Sequence, residues 1–502
     1  MKSALRRMAA RALTKGSFDD IESEILAALE QPVGAAEPQR IDRIVEHAVR
    51  NVPFYNRHSA QASSLEDLPV VDKLMVKSRV EDFLRAGVDR SQLVSRTTSG
   101  STGIPMTVYL DRSRARRNQA GVAASLTYVG ADPFAPIVRA RQWVRISARS
   151  RAVQILREHY PAHGDRFDPA DIAPLKAWVQ KRKDVMFLGY PSYLEMVMRT
   201  LEAEGARFAP GNVRTLISSG EAPTPYFFAA ARRLFGVQAH ARYSSMEVGA
   251  MSISDRDDWS AYKVDTSSYH VEILQEDSDE PAAPGELGRL VVSDLHNLAM
   301  PLLRYDTGDM ARFKLDDQGQ AVRNTIVDLH GRRLDVLVGG TAAAPRKLHA
   351  LAIWAVAGEI SELRQFQLRQ HDIGRFTWLL NAEPSTEIER TLRRILDERV
   401  GDVVECRFEY VDEMPVLASG KRKPFVSDID DPSALVEGGP LTTGARRRLS
   451  RGPRTWPARG CPPRAGLFLQ VAMAAVCTAH MGPVIAVQPP CTPGGARRCP
   501  SF

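Results

Sequence analysis

Cysteine is scarce and unevenly placed. Of five in 502 residues only Cys406 precedes residue 440, while Cys461, Cys477, Cys491 and Cys499 crowd beyond it. One cysteine in so long a body excludes a disulfide framework and fits a reducing compartment, so a cytoplasmic location is expected. The four late cysteines match no zinc-ligand spacing. Residues 441–502 also lack Asp, Glu and Lys yet hold nine Arg. Without those nine, 58 basic groups face 60 acidic ones, a net of −2 rather than the +7 of the whole chain. No basic surface for nucleic acid is expected from so balanced a body. No apolar run approaches the roughly 18 residues of a membrane span, because Gln470, Thr478, His480 and Pro483 interrupt the richest stretch, 465–487. The start, Met1-Lys2-Ser3-Ala4-Leu5-Arg6-Arg7-Met8, is basic without an apolar signal core, and secretion is not expected. The nucleotide loop G-x-x-x-x-G-K-[ST] is absent.

What the chain does have is a dense polar loop, Thr97-Thr98-Ser99-Gly100-Ser101-Thr102-Gly103-Ile104-Pro105. Glycines let backbone N–H groups approach an anion and hydroxyls add donors to the same concavity, so Thr98, Ser99, Gly100, Ser101, Thr102 and Gly103 are candidate phosphate ligands. The same composition also fits an ordinary loop. A second segment runs from apolar Val213, Leu216 and Ile217 into Ser218-Ser219-Gly220-Glu221, a strand entering a turn. After a helical stretch at 225–235 a second turn is expected to carry Arg242-Tyr243-Ser244-Ser245-Met246-Glu247. An aromatic face can stack on a base, and a carboxylate four residues on can hold Mg²⁺ against phosphates. Read singly, the plainer reading prevails, with Tyr243 a packing residue and Glu247 a solvated charge.

The third segment is Met300-Pro301-Leu302-Leu303-Arg304-Tyr305-Asp306-Thr307-Gly308-Asp309. Asp309, expected after a Thr-Gly turn at a strand end, suits either a ribose diol or a plain Asx turn. The fourth, Pro415-Val416-Leu417-Ala418-Ser419-Gly420-Lys421-Arg422-Lys423, is a flexible basic turn that taken alone is solvated surface or a generic anion patch.

Periodicity sets these motifs in an α/β frame. Amphipathic helices are expected at 17–30 and 38–60, the latter with Ile41, Ile44, Val45, Ala48 and Val49 on one face. Between 107 and 330, strand-like runs (107–110, 185–188, 287–293) alternate with helical ones (192–204, 225–235). Beyond Asp335 the texture becomes α+β, with strands at 376–380 and 403–410 around a helix at 387–400. The division expected is a large domain at 1–330, a hinge at 331–336, a small lid at 337–436 and a low-complexity tail at 437–502. The tail reads as disordered or as out-of-frame sequence.

The order and spacing of the four segments resemble the adenylate-forming superfamily, in particular the branch of phenylacetate–CoA ligase and the capsule-biosynthesis CapK-like proteins. The polar loop resembles that family's [ST]-S-G-[ST]-T-G-x-P, with Met106 where other acyl-CoA synthetases often have Lys. Tyr243-x-x-x-Glu247 is similar to its aromatic-to-Glu element, Tyr305-Asp306-Thr307-Gly308-Asp309 to Y-x-T-G-D, and Pro415-x4-Gly420-Lys421 to P-x4-G-K. Weaker matches are Asn51-Val52-Pro53-Phe54-Tyr55, Leu68-Pro69-Val70 with Lys73, and Gly189-Tyr190-Pro191-Ser192. Two departures stand out. Met246 replaces the Thr or Ser that usually precedes the magnesium Glu, so that contact falls to Ser245 or Ser244 or is absent. The hinge, usually G-R-x-D-D, reads Gly331-Arg332-Arg333-Leu334-Asp335.

The resemblance implies a large multi-layer adenylation domain with a small α+β lid, using ATP, Mg²⁺ and coenzyme A or a phosphopantetheine. It implies that residues 99–103 cradle the β- and γ-phosphates and that Gly220, Glu221, Ser244 and Ser245 line the nucleotide. Glu247 would hold Mg²⁺, Tyr243 pack on adenine, and Asp309 and Arg332 hold the ribose. Lys421 would swing in from the lid to bridge the substrate carboxylate and the α-phosphate. The implied partners are a carboxylic acid, aryl or arylacetic by analogy, and CoA or a carrier protein, with no nucleic acid or membrane and with homodimerisation allowed. Adenylate transfer to a carrier protein or amine, and a catalytically degenerate nucleotide-binding partner, are the competing readings.

Overall fold

The computed structural model describes residues 19–31, 37–97, 106–141, 158–163, 169–330, 336–341, 344–349, 353, 357, 360, 362–401, 403–415 and 424–429. The polar loop at 98–105, the segment 331–335 with Arg332, the turn with Lys421 and residues 437–502 lie outside them.

Eleven strands among the described residues form one sheet. Its parallel half runs, in spatial order, His159–His163, Ile137–Arg141, Val185–Gly189, Val213–Ser219 and Ala239–Ser245. The antiparallel half continues through Gly249–Ser254, Ala261–Val264, Ala321–His330, Tyr305–Leu315, Gly288–Asp294 and Tyr269–Leu274. A parallel strand covered on both faces must be apolar on both, and Val185–Gly189 is buried throughout. Phe187 and Leu216 pack with helices Pro191–Ala203 and Pro225–Phe235 on one face. Met186, Leu188 and Ile217 meet helices Asp19–Glu30 and Arg112–Tyr128 on the other.

The helix expected over 38–60 is two. Ile44, Val45, Ala48 and Val49 are buried along Glu37–Asn51. Pro53 then forces Val52 into an extended conformation (φ −109°, ψ 117°) and opens a new helix, Pro53–Ser59. Phe54, carried by the second helix, stacks on Phe83 at 4.2 Å. The polar loop is tied at its base, because Val94–Thr97 pairs antiparallel with Thr107–Leu110 and the Thr97 and Thr107 hydroxyls lie 3.0 Å apart.

Residues beyond 336 have a core of their own, built from Leu368, Phe376, Trp378, Leu380, Leu392 and Leu396. Their sheet runs Glu405–Tyr410, Arg375–Asn381, Gln365–Asp372, Phe425–Ser427. Helix Thr386–Arg399 packs on it through Ile388, Leu392, Ile395 and Leu396, and its N-terminus is capped by the Ser385 hydroxyl. No helix among the described residues is long and apolar enough to cross a membrane.

Candidate active site

In parallel sheets ligands gather beyond the carboxyl ends of the strands, and two of the sequence motifs stand there. Val213–Ser219 ends in Gly220, which turns at φ +90°, a conformation glycine adopts freely. Ala239–Ser245 carries Tyr243 and Ser244 within the strand rather than in the turn expected. The Ser219 and Ser244 hydroxyls lie 3.4 Å apart across these strand ends. The buried Ser218 hydroxyl finds no hydrogen-bond partner among the described residues. The Glu221 carboxylate accepts from the Ser192 backbone N–H at 3.4 Å.

Glu247 sits in the turn after that strand, which the Ser245 hydroxyl closes by accepting from Val248 N–H at 3.2 Å. The next strand opens at Gly249 with φ +106°, where a Cβ would stand 2.3 Å from Asn118 Oδ1, so a side chain there forces Asn118 away.

Asp309 lies inside a strand, not after its end as expected. Arg289 pairs with Met310 and Val291 with Asp306, so residues 307–309 face the single residue Leu290. Gly308, at φ +78°, makes this bulge. Its internal hydrogen bonds fix the shape: Thr307 Oγ1 donates to Leu290 O at 2.8 Å and Gly308 N to Asp306 Oδ1 at 2.8 Å. The bulge directs Asp309 to Tyr243, whose hydroxyl donates to Oδ2. Burial first, then the Asp309 carboxylate, holds that phenol well above its usual pKa. Tyr305 is held up likewise, by burial and then by the charges of Glu247, Asp306, Asp309 and Asp72, which places it amid the same carboxylates.

Lys73 had no role in the sequence reading beyond a weak motif match. Val71 bridges Tyr305 in parallel, with Val71 N donating to Arg304 O at 3.0 Å and Asp306 N to Val71 O at 2.8 Å. Asp72 then caps helix Lys73–Ser78 through Met75 N at 2.7 Å. That geometry brings Lys73 Nζ within 3.1 Å of Glu247 Oε1. The signal available in sequence was Asp-Lys at a helix start, common enough to pass unremarked.

Tyr243, Asp309, Glu247, Tyr305 and Lys73 therefore converge where the parallel half of the sheet meets the antiparallel half, with Gly220, Glu221, Ser244 and Ser245 at the neighbouring strand ends. Thr98, Ser99, Gly100, Ser101, Thr102, Gly103, Arg332 and Lys421 lie outside the described residues. The described residues contain no cluster of three or more His, Cys, Asp or Glu able to hold a metal. A buried, lysine-paired carboxylate beside open donors fits Mg²⁺ carried mainly on phosphates, since that ion takes one or two carboxylates and keeps the rest of its shell.

No family model matches the chain. Over 347 residues it is 26% identical to a phenylacetate-coenzyme A ligase of Escherichia coli, covering 65% of the chain and 76% of that enzyme. Over 297 residues it is 23% identical to the phenylacetate-coenzyme A ligase of Thermus thermophilus, covering 55% of the chain and 64% of the relative, just under two thirds of its length. Its fold matches crystal structures of a 2-hydroxyisobutyryl-CoA ligase. The TM-score is 0.61 at 16% identity for the postadenylation state with 2-HIB-AMP, covering 83% of this chain and 91% of that one. For the same enzyme in the thioesterification state, at the same coverage, it is 0.50. In its motif order, its sheet and these relatives, the chain is similar to the adenylate-forming superfamily, on the branch that holds the phenylacetate–CoA ligases.

Proposed function

We propose that the protein activates a carboxylic acid with ATP and passes the acyl group to the thiol of CoA. The observation that carries this reading is the Tyr243–Asp309 hydrogen bond beside the Lys73–Glu247 ion pair, which gathers motifs distant in sequence at one end of one sheet. The two coenzyme A ligases among the relatives support the same chemistry.

The reaction sets a carboxylate against the α-phosphate, where like charges repel, so catalysis is mainly positioning and neutralisation. Residues 99–103 hold the β- and γ-phosphates, Tyr243 presents its ring to adenine, and Asp309 and Arg332 hold the ribose. The Tyr243 hydroxyl, bonded to Asp309, keeps that carboxylate aimed. Mg²⁺, when bound, neutralises phosphate charge; Glu247 is the residue to hold it, with Lys73 the cation beside it. Lys421 bridges the substrate carboxylate and the α-phosphate. The carboxylate oxygen attacks phosphorus, the bond to the β-phosphate oxygen breaks, and pyrophosphate leaves. A thiolate then attacks the acyl carbonyl and AMP departs.

The one thiol among the described residues, Cys406, is a poor acceptor. Burial pushes Cys406 up to about 11, so almost none of it is thiolate at neutral pH. A free CoA or a carrier-borne phosphopantetheine meets the need, and CoA is the acceptor the relatives favour. The test is acid-dependent ATP–pyrophosphate exchange with phenylacetate, benzoate and 2-hydroxyisobutyrate, followed by thioester formation on adding CoA. Exchange without CoA thioester would shift the reading to a carrier or amine acceptor, and no exchange with any acid would leave a nucleotide-binding protein without this activity.

A further inference from the structure

Among the described residues, helix Pro191–Ala203 makes two hydrogen bonds to the body beyond residue 336. Along Pro191–Ala203, Arg199 Nη2 donates to Leu363 O at 3.0 Å, and the Ser192 carbonyl accepts from Gln365 Nε2 at 3.2 Å. Both acceptor and donor on the far side, Leu363 and Gln365, stand where the strand Gln365–Asp372 begins. Arg199 is held in place to make its bond. Its guanidinium lies 3.8 Å from the centroid of Tyr226, whose hydroxyl is tied to Glu202 at 2.7 Å.

The same helix faces the loop 220–224 that follows strand Val213–Ser219. Ser192, whose carbonyl takes Gln365, gives its N–H to Glu221, the residue after Gly220. Glu195, one turn before Arg199, accepts from Thr224 N at 3.1 Å and Thr224 Oγ1 at 2.9 Å, fixing the far end of that loop. Behind Gln365, the strand Gln365–Asp372 pairs in parallel with Phe425–Ser427, and Leu368 N donates to Pro424 O at 2.8 Å. Lys421 lies three residues before Pro424.

We infer that helix Pro191–Ala203 is the seat on which the lid rests during adenylation, and that Arg199 and Gln365 are positioning residues whose contacts set the strand Gln365–Asp372 and, paired with it, Phe425–Ser427, which follows Lys421 in sequence. The inference rests on the adenylation chemistry proposed above. It concerns adenylation rather than transfer because the chain, over the 83% of it that matches, aligns better with the postadenylation than with the thioesterification arrangement of one and the same ligase. A lid that rotates away must break both hydrogen bonds, and one of them frees Ser192, which also holds Glu221 in the loop 220–224.

The test separates the half-reactions in the full chain. Arg199→Ala and Gln365→Ala are each expected to slow pyrophosphate exchange about tenfold, the scale of one lost hydrogen bond. Transfer from supplied acyl-adenylate to CoA is expected to stay within about twofold of wild type. Arg199→Lys, which keeps a cationic donor over Tyr226, is expected to regain part of the exchange. Backbone amide exchange across 191–199 and 363–370, which needs no substrate, is expected to quicken in both alanine variants. Equal losses in both half-reactions, a loss confined to transfer, or unchanged amide protection would each overturn the seat. Should the wild type exchange pyrophosphate with no acid, the activity reading fails by itself and amide protection alone decides the seat.

Discussion

The ammonium of Lys73 lies 3.1 Å from Glu247, a carboxylate left only 9% exposed, although Lys73 precedes every strand of the large sheet and Glu247 lies between two of its middle strands. The pair is made by backbone: the Val71–Tyr305 bridge lays the Lys73 segment along the strand that carries Asp309. Removing the cation strands a nearly buried charge. Lys73→Met is therefore expected to lower stability by about 1–2 kcal/mol, the full buried-pair value being discounted because Lys73 is 27% exposed. Thermal melts with and without magnesium–ATP check this, since ligand should close much of the gap. An unchanged midpoint would make the pair incidental.

Glu247→Gln keeps shape and loses charge. The Mg²⁺ concentration for half-maximal exchange is expected to rise while the circular dichroism spectrum stays the same. A magnesium titration that superimposes on wild type would remove Glu247 from the metal.

Lys421→Ala is expected to cost adenylation the roughly 10²–10³-fold typical of losing one preorganised donor. Transfer from supplied adenylate should fall far less, and Lys423→Ala serves as the neighbouring control. Parallel losses in both steps would deny Lys421 a part in the first.

Glu195 gives a pH signature. Burial raises its carboxyl from 4.5 to about 7, against the hydrogen bonds from Thr224 that pull it down. The folded chain then binds more protons than the unfolded one between about pH 4.5 and 7, so this group's contribution is full below the unfolded value and is lost as pH rises through the folded one. Glu195→Gln keeps an acceptor for Thr224 and removes the charge. Relative to it, the wild type is expected to lose up to about 3 kcal/mol between pH 5 and 8, read from urea midpoints. Parallel midpoint curves for the two proteins would mean Glu195 ionises normally.

Much of this was legible beforehand, and the misses have physical causes. The helix at 225–235 and the strands at 107–110 and 185–188 announced themselves because period and punctuation agreed at those sites. The break at Val52 went unread because an unbroken apolar stripe masked Pro53. Tyr243 and Asp309 were singled out separately, yet their hydrogen bond depends on two strands in different halves of the sheet. Lys73 had no local mark of its use, because its meaning comes from a bridge to Tyr305. Asp309 was set after a strand because Thr-Gly reads as a turn, whereas the strand absorbs the pair and runs on to Leu315.

That absorption has a consequence for how the strand tolerates change. Three residues oppose one at Leu290, so the bulge inserts two residues, an even number. Side chains alternate with a period of two, so Met310 and everything after it keep the faces they would have had without the insertion. A segment that carries polar chemistry is thus spliced into an apolar ladder without turning the ladder inside out. Cutting Thr307 and Gly308 together would leave a flush strand with its inward and outward faces intact, while cutting either one would swap them as far as Leu315.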